Sequence, residues 1–183
     1  NGIFDSVELE SIMEYCEREE LEQGKVVGGE EYGKDIRDSK VRFFNRTSDI
    51  AWIFERFNQI INEINDTHYG FELDGYDSFQ YTVYDESGKF DWHTDLLYGT
   101  DLGNTQNAGT RKLTCVTMMN TPGVDFTGGE FQVSTGRESE AETIDFHQGM
   151  LLAFPSFLPH RVLPVLSGVR KSLVIWVEGP KFR

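Results

Sequence analysis

The sequence predicts a mainly β protein, a sandwich or jelly roll, with two N-terminal helices packed on one of its sheets. Apolar residues recur at helical spacing in two segments of the first 77 residues and follow strand spacing from residue 78 onward. Glycine-rich turns separate the strand-like segments. We therefore expect a single domain over residues 1–183, in which 1–77 supply helical support and a first strand and 78–183 form the jelly-roll core.

Two amphipathic helices are predicted in the N-terminal part. Asp5 and Glu8 have the spacing of a capping box at the start of the first helix. Its apolar stripe consists of Leu9, Ile12, Met13 and Cys16. A strand over residues 41–44 follows, and Thr47 or Ser48 is the expected cap of the second helix. The second stripe consists of Trp52, Ile53, Phe57, Ile60, Ile61 and Ile64.

From Ser78 onward the pattern is that of short strands. They are predicted over residues 78–84, 89–93, 112–119, 129–134, 150–154, 160–165 and 169–177. Residues 96–111, rich in glycine, threonine and asparagine, form the longest stretch without predicted secondary structure. Such a long loop in a compact domain is commonly functional, so this segment is a candidate lid or substrate loop.

The formal net charge of −14 comes from 17 basic and 31 acidic residues. So acidic a chain cannot collect phosphate groups by bulk electrostatics, and we expect neither a nucleic-acid nor a membrane partner. The charge is unevenly distributed. Residues 1–31 contain ten acidic and two basic residues, whereas residues 149–183 contain five basic residues and one acidic residue.

The cysteines and the chain start indicate the compartment. Cys16 and Cys115 lie far apart within apolar patterns, which predicts buried free thiols rather than a disulfide or a zinc site. No stretch approaches the ~18 consecutive apolar residues of a membrane-spanning helix. The start, residues 1–4, has neither an initiator methionine nor a signal-peptide pattern, so we expect a trimmed N-terminus and a cytoplasmic location.

Histidine and carboxylate residues in the strand region have the spacing of a metal site. His93 and Asp95 are two residues apart at the end of a predicted strand, so their side chains share a face. His160 begins a later strand. Two imidazoles and one carboxylate form the facial triad of non-haem Fe(II) oxygenases, which leaves three positions open. A zinc hydrolase is an alternative, since catalytic zinc also takes three protein ligands.

An arginine follows the last of these residues at a suggestive distance. Arg170 lies ten residues after His160, with Ser167-Gly168 between them as a turn. If the two strands line opposite walls of a jelly roll, Arg170 returns to the interior and can clamp a carboxylate through two hydrogen bonds. Ser172 then shares its face and can add a hydroxyl donor. The alternative is that Arg170 lies on the surface near the chain end. The nearby candidate metal ligands favour the interior position. A zinc hydrolase would give Arg170 and Ser172 no role.

Several weak motifs occur together in a recognisable order. They are QYTVY at 80–84, FDWHTD at 90–95, GGEF at 128–131, the stretch from Gly149 through FPS at 154–156 to HRVLPV at 160–165, and GVRKSLVIW at 168–176. In this order and spacing the chain resembles the 2-oxoglutarate/Fe(II)-dependent dioxygenases over most of its length. Within that family it is most similar to the prolyl 4-hydroxylase-like branch that includes bacterial and phage hydroxylases.

The resemblance implies a double-stranded β-helix that binds Fe(II), 2-oxoglutarate and O2, with ascorbate as an optional addition. It makes His93, Asp95 and His160 the iron ligands and Arg170 the partner of the far carboxylate of 2-oxoglutarate. Tyr84 becomes a hydrogen-bond donor to that cosubstrate, whereas on its own pattern it is a strand-end aromatic with its ring in the core. The implied reaction converts 2-oxoglutarate to succinate and CO2 and hydroxylates a C–H bond.

The substrate that the resemblance implies is a prolyl or other residue in a peptide or protein. An alternative is a free amino acid or small metabolite, for which residues 96–111 would close over a small pocket. An alternative of another class is a non-catalytic jelly-roll binding module, which the retained triad and arginine argue against. Candidate substrate contacts are Trp92, Arg111, Arg161 and Trp176, with core packing and solvated surface charge as their ordinary interpretations.

Overall fold

The computed structural model describes residues 2–25, 33–97 and 109–182. The helices are α1 (Ser6–Cys16), α2 (Gly33–Ile36) and α3 (Ala51–Ile64), with a π-helical turn at Asn65–Tyr69 and a 3-10 turn at Glu138–Glu140. The strands are β1 (Glu22–Gln23), β2 (Arg37–Asp38), β3 (Lys40–Asn45), β4 (Ser78–Tyr84), β5 (Lys89–His93), β6 (Thr110–Met118), β7 (Phe126–Gly128), β8 (Phe131–Val133), β9 (Glu142–Ile144), β10 (Leu151–Pro155), β11 (His160–Val162), β12 (Val165–Gly168) and β13 (Arg170–Gly179).

The strands form two main antiparallel sheets. The six-stranded sheet has the order β1-β3-β4-β13-β6-β10, and the five-stranded sheet has the order β2-β5-β11-β8-β9. A two-stranded sheet pairs β12 with β7. One apolar core contains side chains of both main sheets, such as Val116 and Phe131, and so lies between them. The predicted mainly β jelly roll with two helices on one sheet is confirmed.

Strand alternation divides the six-stranded sheet into two faces. On β4, Phe79, Tyr81 and Val83 are buried in the core that contains α1 and α3. Gln80, Thr82 and Tyr84 alternate with them and line a cavity on the opposite face, between the sheets. The same strand therefore supports the helix layer with one face and the interior of the jelly roll with the other.

Both predicted helices are present, and one of the two predicted caps is correct. Asp5 accepts hydrogen bonds from the backbone amides of Val7 and Glu8, and Glu8 accepts one from the amide of Asp5. The prediction that Thr47 or Ser48 caps the second helix is wrong. That helix begins at Ala51, and Ile50 precedes it without a side-chain cap. The buried apolar stripe fixes α3 against the sheet even though its start is uncapped.

The strand boundaries differ from the predicted ones, and the short strands β1, β2, β7 and β9 lie outside the predicted strands. The predicted strand 160–165 divides into β11 and β12, which pair with different neighbours. The break falls at Pro164, which has no backbone N–H to donate to a ladder. β6 begins at Thr110 and so includes the last two residues of the predicted loop 96–111; residues 98–108 of that loop lie outside the described residues.

Two further expectations concern the whole chain. Cys16 and Cys115 are buried and unpaired, as predicted. Among the described residues, no helix is long and apolar enough to cross a membrane.

Candidate active site

Strand pairing in the five-stranded sheet places two histidines opposite each other. His93 at the end of β5 is the register partner of His160 at the start of β11. Side chains of directly opposed residues lie on one face, and the two ring centroids are 4.2 Å apart. Asp95 follows His93 by two residues and returns to this face. The three residues each offer one ligand atom, and these atoms lie within 4.8 Å of one another.

Backbone carbonyls determine which nitrogen each histidine presents. Nδ1 of His93 lies 2.8 Å from the carbonyl oxygen of Asp91, and Nδ1 of His160 lies 2.9 Å from that of Leu158. A carbonyl oxygen can only accept, so each Nδ1 carries the proton and each Nε2 keeps its lone pair. The Nε2 atoms lie 3.7 Å and 3.3 Å from the two carboxylate oxygens of Asp95. This tautomer and orientation suit metal coordination through Nε2.

Asp95 is held by a buried network. Its Oδ2 accepts a hydrogen bond of 3.0 Å from the hydroxyl of Thr114, and that hydroxyl lies 2.9 Å from the hydroxyl of Ser156. The backbone amide of Asp95 donates to the carbonyl of Ser156. Thr114 and Ser156 are both 0% exposed. The carboxylate is therefore oriented before any metal binds.

The electrostatics keep His93 and Asp95 in the protonation states that a metal requires. Burial, together with the neighbouring His160, lowers the pKa of His93 to about 4. Its ring is therefore neutral at pH 7 and can donate its lone pair. Burial alone would raise the pKa of Asp95, but its contacts with His160 and, less strongly, with His93 lower it. Asp95 is therefore an anion.

Arg170 lies across the interior on the opposite sheet. It is 1% exposed, and its Nη1 donates to the hydroxyl of Ser172 at 3.4 Å. Its Nε and Nη2 have no hydrogen-bond partner among the described residues. An added Cβ at Gly129, where φ is +63°, would lie 2.9 Å from Cδ of Arg170. The absence of a side chain at Gly129 thus leaves space for the buried side chain of Arg170, whose unpaired N–H groups can bind an anion.

Tyr84 is the cross-strand partner of Arg170. The two residues are paired in register between β4 and β13, and the guanidinium carbon lies 5.4 Å from the centre of the Tyr84 ring. Burial raises the pKa of Tyr84, so its hydroxyl remains protonated and can donate. The same cavity is lined by Tyr84, Arg170 and Ser172 from the six-stranded sheet and by His93, Asp95 and His160 from the five-stranded sheet and the segment after β5. The structure thus brings all six residues predicted for metal and cosubstrate to one cavity.

These residues fit the pair of groups that the sequence resemblance implies. Two neutral imidazoles and a carboxylate match an octahedral metal with open positions. The unpaired N–H groups of Arg170 match a carboxylate some distance from that metal. Apolar side chains complete the lining, among them Val116, Phe131, Val162 and Val174.

A larger cleft of about 890 Å³ lies outside this cavity and includes His93 and Asp95 in its lining. Arg111 and Trp176, two of the predicted substrate contacts, line the cleft, and the guanidinium carbon of Arg111 lies 3.9 Å from the centre of the Trp176 ring. Trp92 and Arg161 stack on each other at 4.5 Å and are absent from the lining of both cavities. Trp92 directly precedes His93, and Arg161 directly follows His160. Both side chains therefore face the other side of the sheet.

Some residues of the site were missed by the sequence analysis. Gln80 and Thr82 line the inner cavity, and their alternation with Phe79 and Tyr81 would have indicated this. Arg37 lines both cavities, and nothing in its short, glycine-flanked segment indicates this position. It arrives there because β2 pairs with β5, where Arg37 is opposite Phe90.

The comparison with known families agrees with this geometry. The model of the 2OG-Fe(II) oxygenase superfamily matches residues 79–178, which is more than half of the chain. The chain belongs to this superfamily. Its members use Fe(II), 2-oxoglutarate and O2. The His-Asp-His cluster of the chain is of the kind that binds iron.

Individual relatives and solved structures have between 18% and 33% of their aligned residues identical to this chain. A PKHD-type hydroxylase of Synechococcus sp. (strain CC9311) is 33% identical over 95 residues, which are 52% of this chain and 39% of that protein. The chain thus spans well under half of the length of this curated relative. A prolyl-4-hydroxylase of Pseudomonas putida has a TM-score of 0.72 at 18% identity, covering 98% of this chain and 90% of that one. A prolyl hydroxylase of Trichoplax adhaerens, solved with a hypoxia inducible factor peptide fragment, has a TM-score of 0.69 at 18% identity, covering 93% and 76%. The two structures establish a shared fold.

Proposed function

We propose that the protein is a Fe(II)- and 2-oxoglutarate-dependent hydroxylase that acts on a residue in a peptide or protein, with proline as the first candidate. One observation carries the proposal. A three-residue metal face and a buried arginine, with N–H groups unpaired among the described residues, line the same cavity from opposite sheets. A metal site alone is compatible with many reactions, whereas the arginine suits a cosubstrate with a second carboxylate that the metal does not bind.

His93, Asp95 and His160 would hold the iron. Their Nε2 atoms and carboxylate are preoriented by Asp91, Leu158 and Thr114. When bound, Fe(II) with 2-oxoglutarate and O2 supplies an oxidative decarboxylation that releases succinate and CO2 and transfers one oxygen atom to a C–H bond. The protein's part is to hold the ligands on one face and leave the opposite face open.

Arg170, Ser172 and Tyr84 would bind the far carboxylate of 2-oxoglutarate. The guanidinium supplies charge and two unpaired N–H groups, and the hydroxyls of Ser172 and Tyr84 are further donors. Val116, Val162 and Val174 also line this cavity. Their apolar side chains lower the local dielectric, which strengthens each of these charge-assisted hydrogen bonds.

The outer cleft supports a peptide rather than a free amino acid as substrate. The cleft has a volume of about 890 Å³. A second hollow of about 480 Å³ adjoins it, and the two share the lining residues Phe43, Arg111 and Trp176. The surface next to the metal face is therefore longer than a single amino acid requires. The Trichoplax relative, solved with a peptide fragment, and the prolyl hydroxylase of Pseudomonas make proline the first residue to test.

The proposal is tested by anaerobic reconstitution with Fe(II), followed by addition of 2-oxoglutarate and O2. We expect succinate, measured by NMR, and more of it when proline-containing peptides are present. The His160→Ala variant should lose succinate formation, whereas His147→Ala, which changes an exposed histidine distant from the cavity lining, should keep it. An absence of succinate from the wild-type protein with and without peptides would refute the oxygenase activity.

A further inference from the structure

Two arginines in the outer cleft lack an acidic partner among the described residues. Arg37 is 7% exposed, and its recorded hydrogen bonds go to neutral acceptors, the hydroxyl of Ser39 at 2.9 Å and the carbonyl of Lys25 at 3.0 Å. Its guanidinium carbon lies 4.7 Å from the centre of the Phe90 ring. A buried guanidinium with only neutral partners keeps an uncompensated positive charge.

Arg111 is the second of these arginines. It stacks on Trp176 and, within the described part of the chain, forms neither a hydrogen bond nor an ion pair through its side chain. Its cross-strand partner Glu178 is an exposed residue and does not form an ion pair with it. Burial lowers the pKa of Arg111. The nearby carboxylates of Asp95 and Glu178 oppose this shift without forming an ion pair with the guanidinium, and the like charge of Arg37 adds to the shift. The two cations therefore act on each other across the same cleft.

Other arginines nearby are neutralised, which makes these two distinctive. Arg42, also in the cleft lining, forms an ion pair with Glu19. Arg46, outside the cleft, forms one with Glu55 at 3.0 Å. In a chain with a formal charge of −14, acidic partners are abundant. Two arginines that form no ion pair within the described residues, both at the cleft that holds the metal face, indicate a site for an external anion.

We propose that the substrate presents a carboxylate to Arg37 and Arg111, next to the carbon that is oxygenated. This inference rests on the proposed hydroxylase function and adds the chemical class of its substrate. A guanidinium stacked on an aromatic ring keeps its N–H edge free for bidentate hydrogen bonds to a carboxylate. Arg111 lines the outer cleft and is not part of the inner cavity of Arg170, so its ligand is separate from 2-oxoglutarate.

The carboxylate has two chemical sources, and the experiment separates them. It belongs either to an aspartate or glutamate beside the target residue of a peptide, or to the α-carboxyl group of a free amino acid. The first probe is a pair of end-capped peptide pools with a randomised central residue and a neighbouring position fixed as aspartate or as its neutral isostere asparagine. The second is the set of free L-amino acids compared with their amides.

Binding is measured anaerobically on the protein loaded with Fe(II) and 2-oxoglutarate, by titration of tryptophan fluorescence, and turnover is followed by mass spectrometry. We expect the carboxylate member of one pair to bind about 10- to 100-fold more tightly than its neutral counterpart, as for hydrogen bonds to a charged group. Arg111→Gln should remove this preference while 2-oxoglutarate affinity stays unchanged. Arg46→Gln, which removes the same charge outside the cleft, should retain the preference.

The outcomes for the two proposals are distinct. Equal binding of the carboxylate and neutral members in both pairs, or a preference that survives in Arg111→Gln, would overturn carboxylate recognition even if succinate is formed. A carboxylate preference that depends on Arg111, in a protein that forms no succinate, would uphold this recognition and overturn the hydroxylase proposal. Thermal unfolding of Arg111→Gln checks that the variant is folded.

Discussion

His93 and His160 each donate a hydrogen bond from Nδ1 to a backbone carbonyl oxygen, which leaves Nε2 of each ring available for a metal. Asp95 is held in the same way by Thr114 and, through it, by Ser156. Loss of a group that orients a metal ligand typically costs about 10- to 100-fold in metal affinity, because a free side chain must lose its rotational entropy when the metal binds. The two hydroxyl residues are therefore positioning residues of the candidate site.

The first prediction at the residue scale concerns Thr114. Thr114→Val keeps the shape of the side chain but removes the hydroxyl that donates to Asp95. We expect metal affinity to fall by about 10- to 100-fold, the range found for groups that orient metal ligands. The measurement is an anaerobic Fe(II) or Co(II) binding titration.

Thr117 provides a matched control on the same strand. It is also 0% exposed, but its hydroxyl has no hydrogen-bond partner among the described residues. Thr117→Val should leave metal affinity unchanged and should not reduce stability, because it removes a buried hydroxyl that gains nothing from folding. Equal metal affinities of wild-type and Thr114→Val protein would contradict the positioning role.

The second residue-scale prediction concerns Arg170. In the absence of an anion its buried charge costs stability, and an anion that binds it stabilises the native state. Arg170→Met should therefore raise the free energy of unfolding of the unliganded protein by about 1 kcal/mol or more. It should also abolish the rise in melting temperature that 2-oxoglutarate produces in wild-type protein loaded with metal. Thermal unfolding and calorimetric titration of 2-oxoglutarate measure both effects; an unchanged affinity for 2-oxoglutarate would contradict the assignment.

At the scale of elements, the strands of the six-stranded sheet serve two layers. On β13, Leu173, Ile175 and Val177 lie in the helix-side core, while Arg170 and Ser172 face the interior. Gly168, with φ of +77°, makes the turn before β13, and a Cβ there would lie 2.1 Å from the carbonyl oxygen of Asp125. Helix packing on one face and site geometry on the other are thus coupled through the same backbone.

The element-scale prediction compares the two helix starts. Asp5→Ala removes the cap of α1 and should lower the free energy of unfolding by about 1 kcal/mol. Thr47→Ala is the control, since Thr47 was expected to cap α3 but donates to Asp49 instead. It should change stability by less than half of that amount. Urea denaturation measures both variants, and equal losses would show that the uncapped start of α3 has been misassigned.

At the scale of the whole molecule, one charged contact ties the helix layer to the sheet. Glu17, at the end of α1, forms an ion pair of 2.7 Å with Lys171 on β13 and accepts a hydrogen bond from the Tyr81 hydroxyl on β4. Burial alone would raise the pKa of Glu17, but Lys171 and Tyr81 lower it. The folded state therefore favours the ionised carboxylate more than the unfolded chain does.

This shift predicts a pH dependence of stability. The contribution of Glu17 is complete above its unfolded pKa of about 4.3 and is lost as the pH falls through the lower folded value. Glu17→Gln should reduce the free energy of unfolding at pH 7 by less than about 1 kcal/mol, since the pair is partly exposed. The difference from wild type should shrink as the pH is lowered below 4. Urea denaturation across this range is the measurement, with Glu10→Gln, an exposed glutamate outside any described ion pair, as a control without such a trend.

The sequence analysis was most successful where the pattern is local. The spacing of His93 and Asp95, the capping box of Asp5 and the alternation of β4 all depend on neighbours within a few residues. Predictions failed for one strand end and for one helix start. Val165 pairs with β7 rather than continuing the strand of His160, and α3 starts two residues later than a cap at Ser48 would require.

Local periodicity was enough to predict a mainly β chain with two supporting helices, a candidate set of metal ligands and an arginine on a return strand, because strand and helix periods assign each side chain to a face. It took the pairing of distant strands to show that His160 lies opposite His93, that Thr114 orients Asp95 and that Arg37 reaches the cleft. These contacts join strands far apart in the chain, and antiparallel register, which local periodicity does not specify, brings them together.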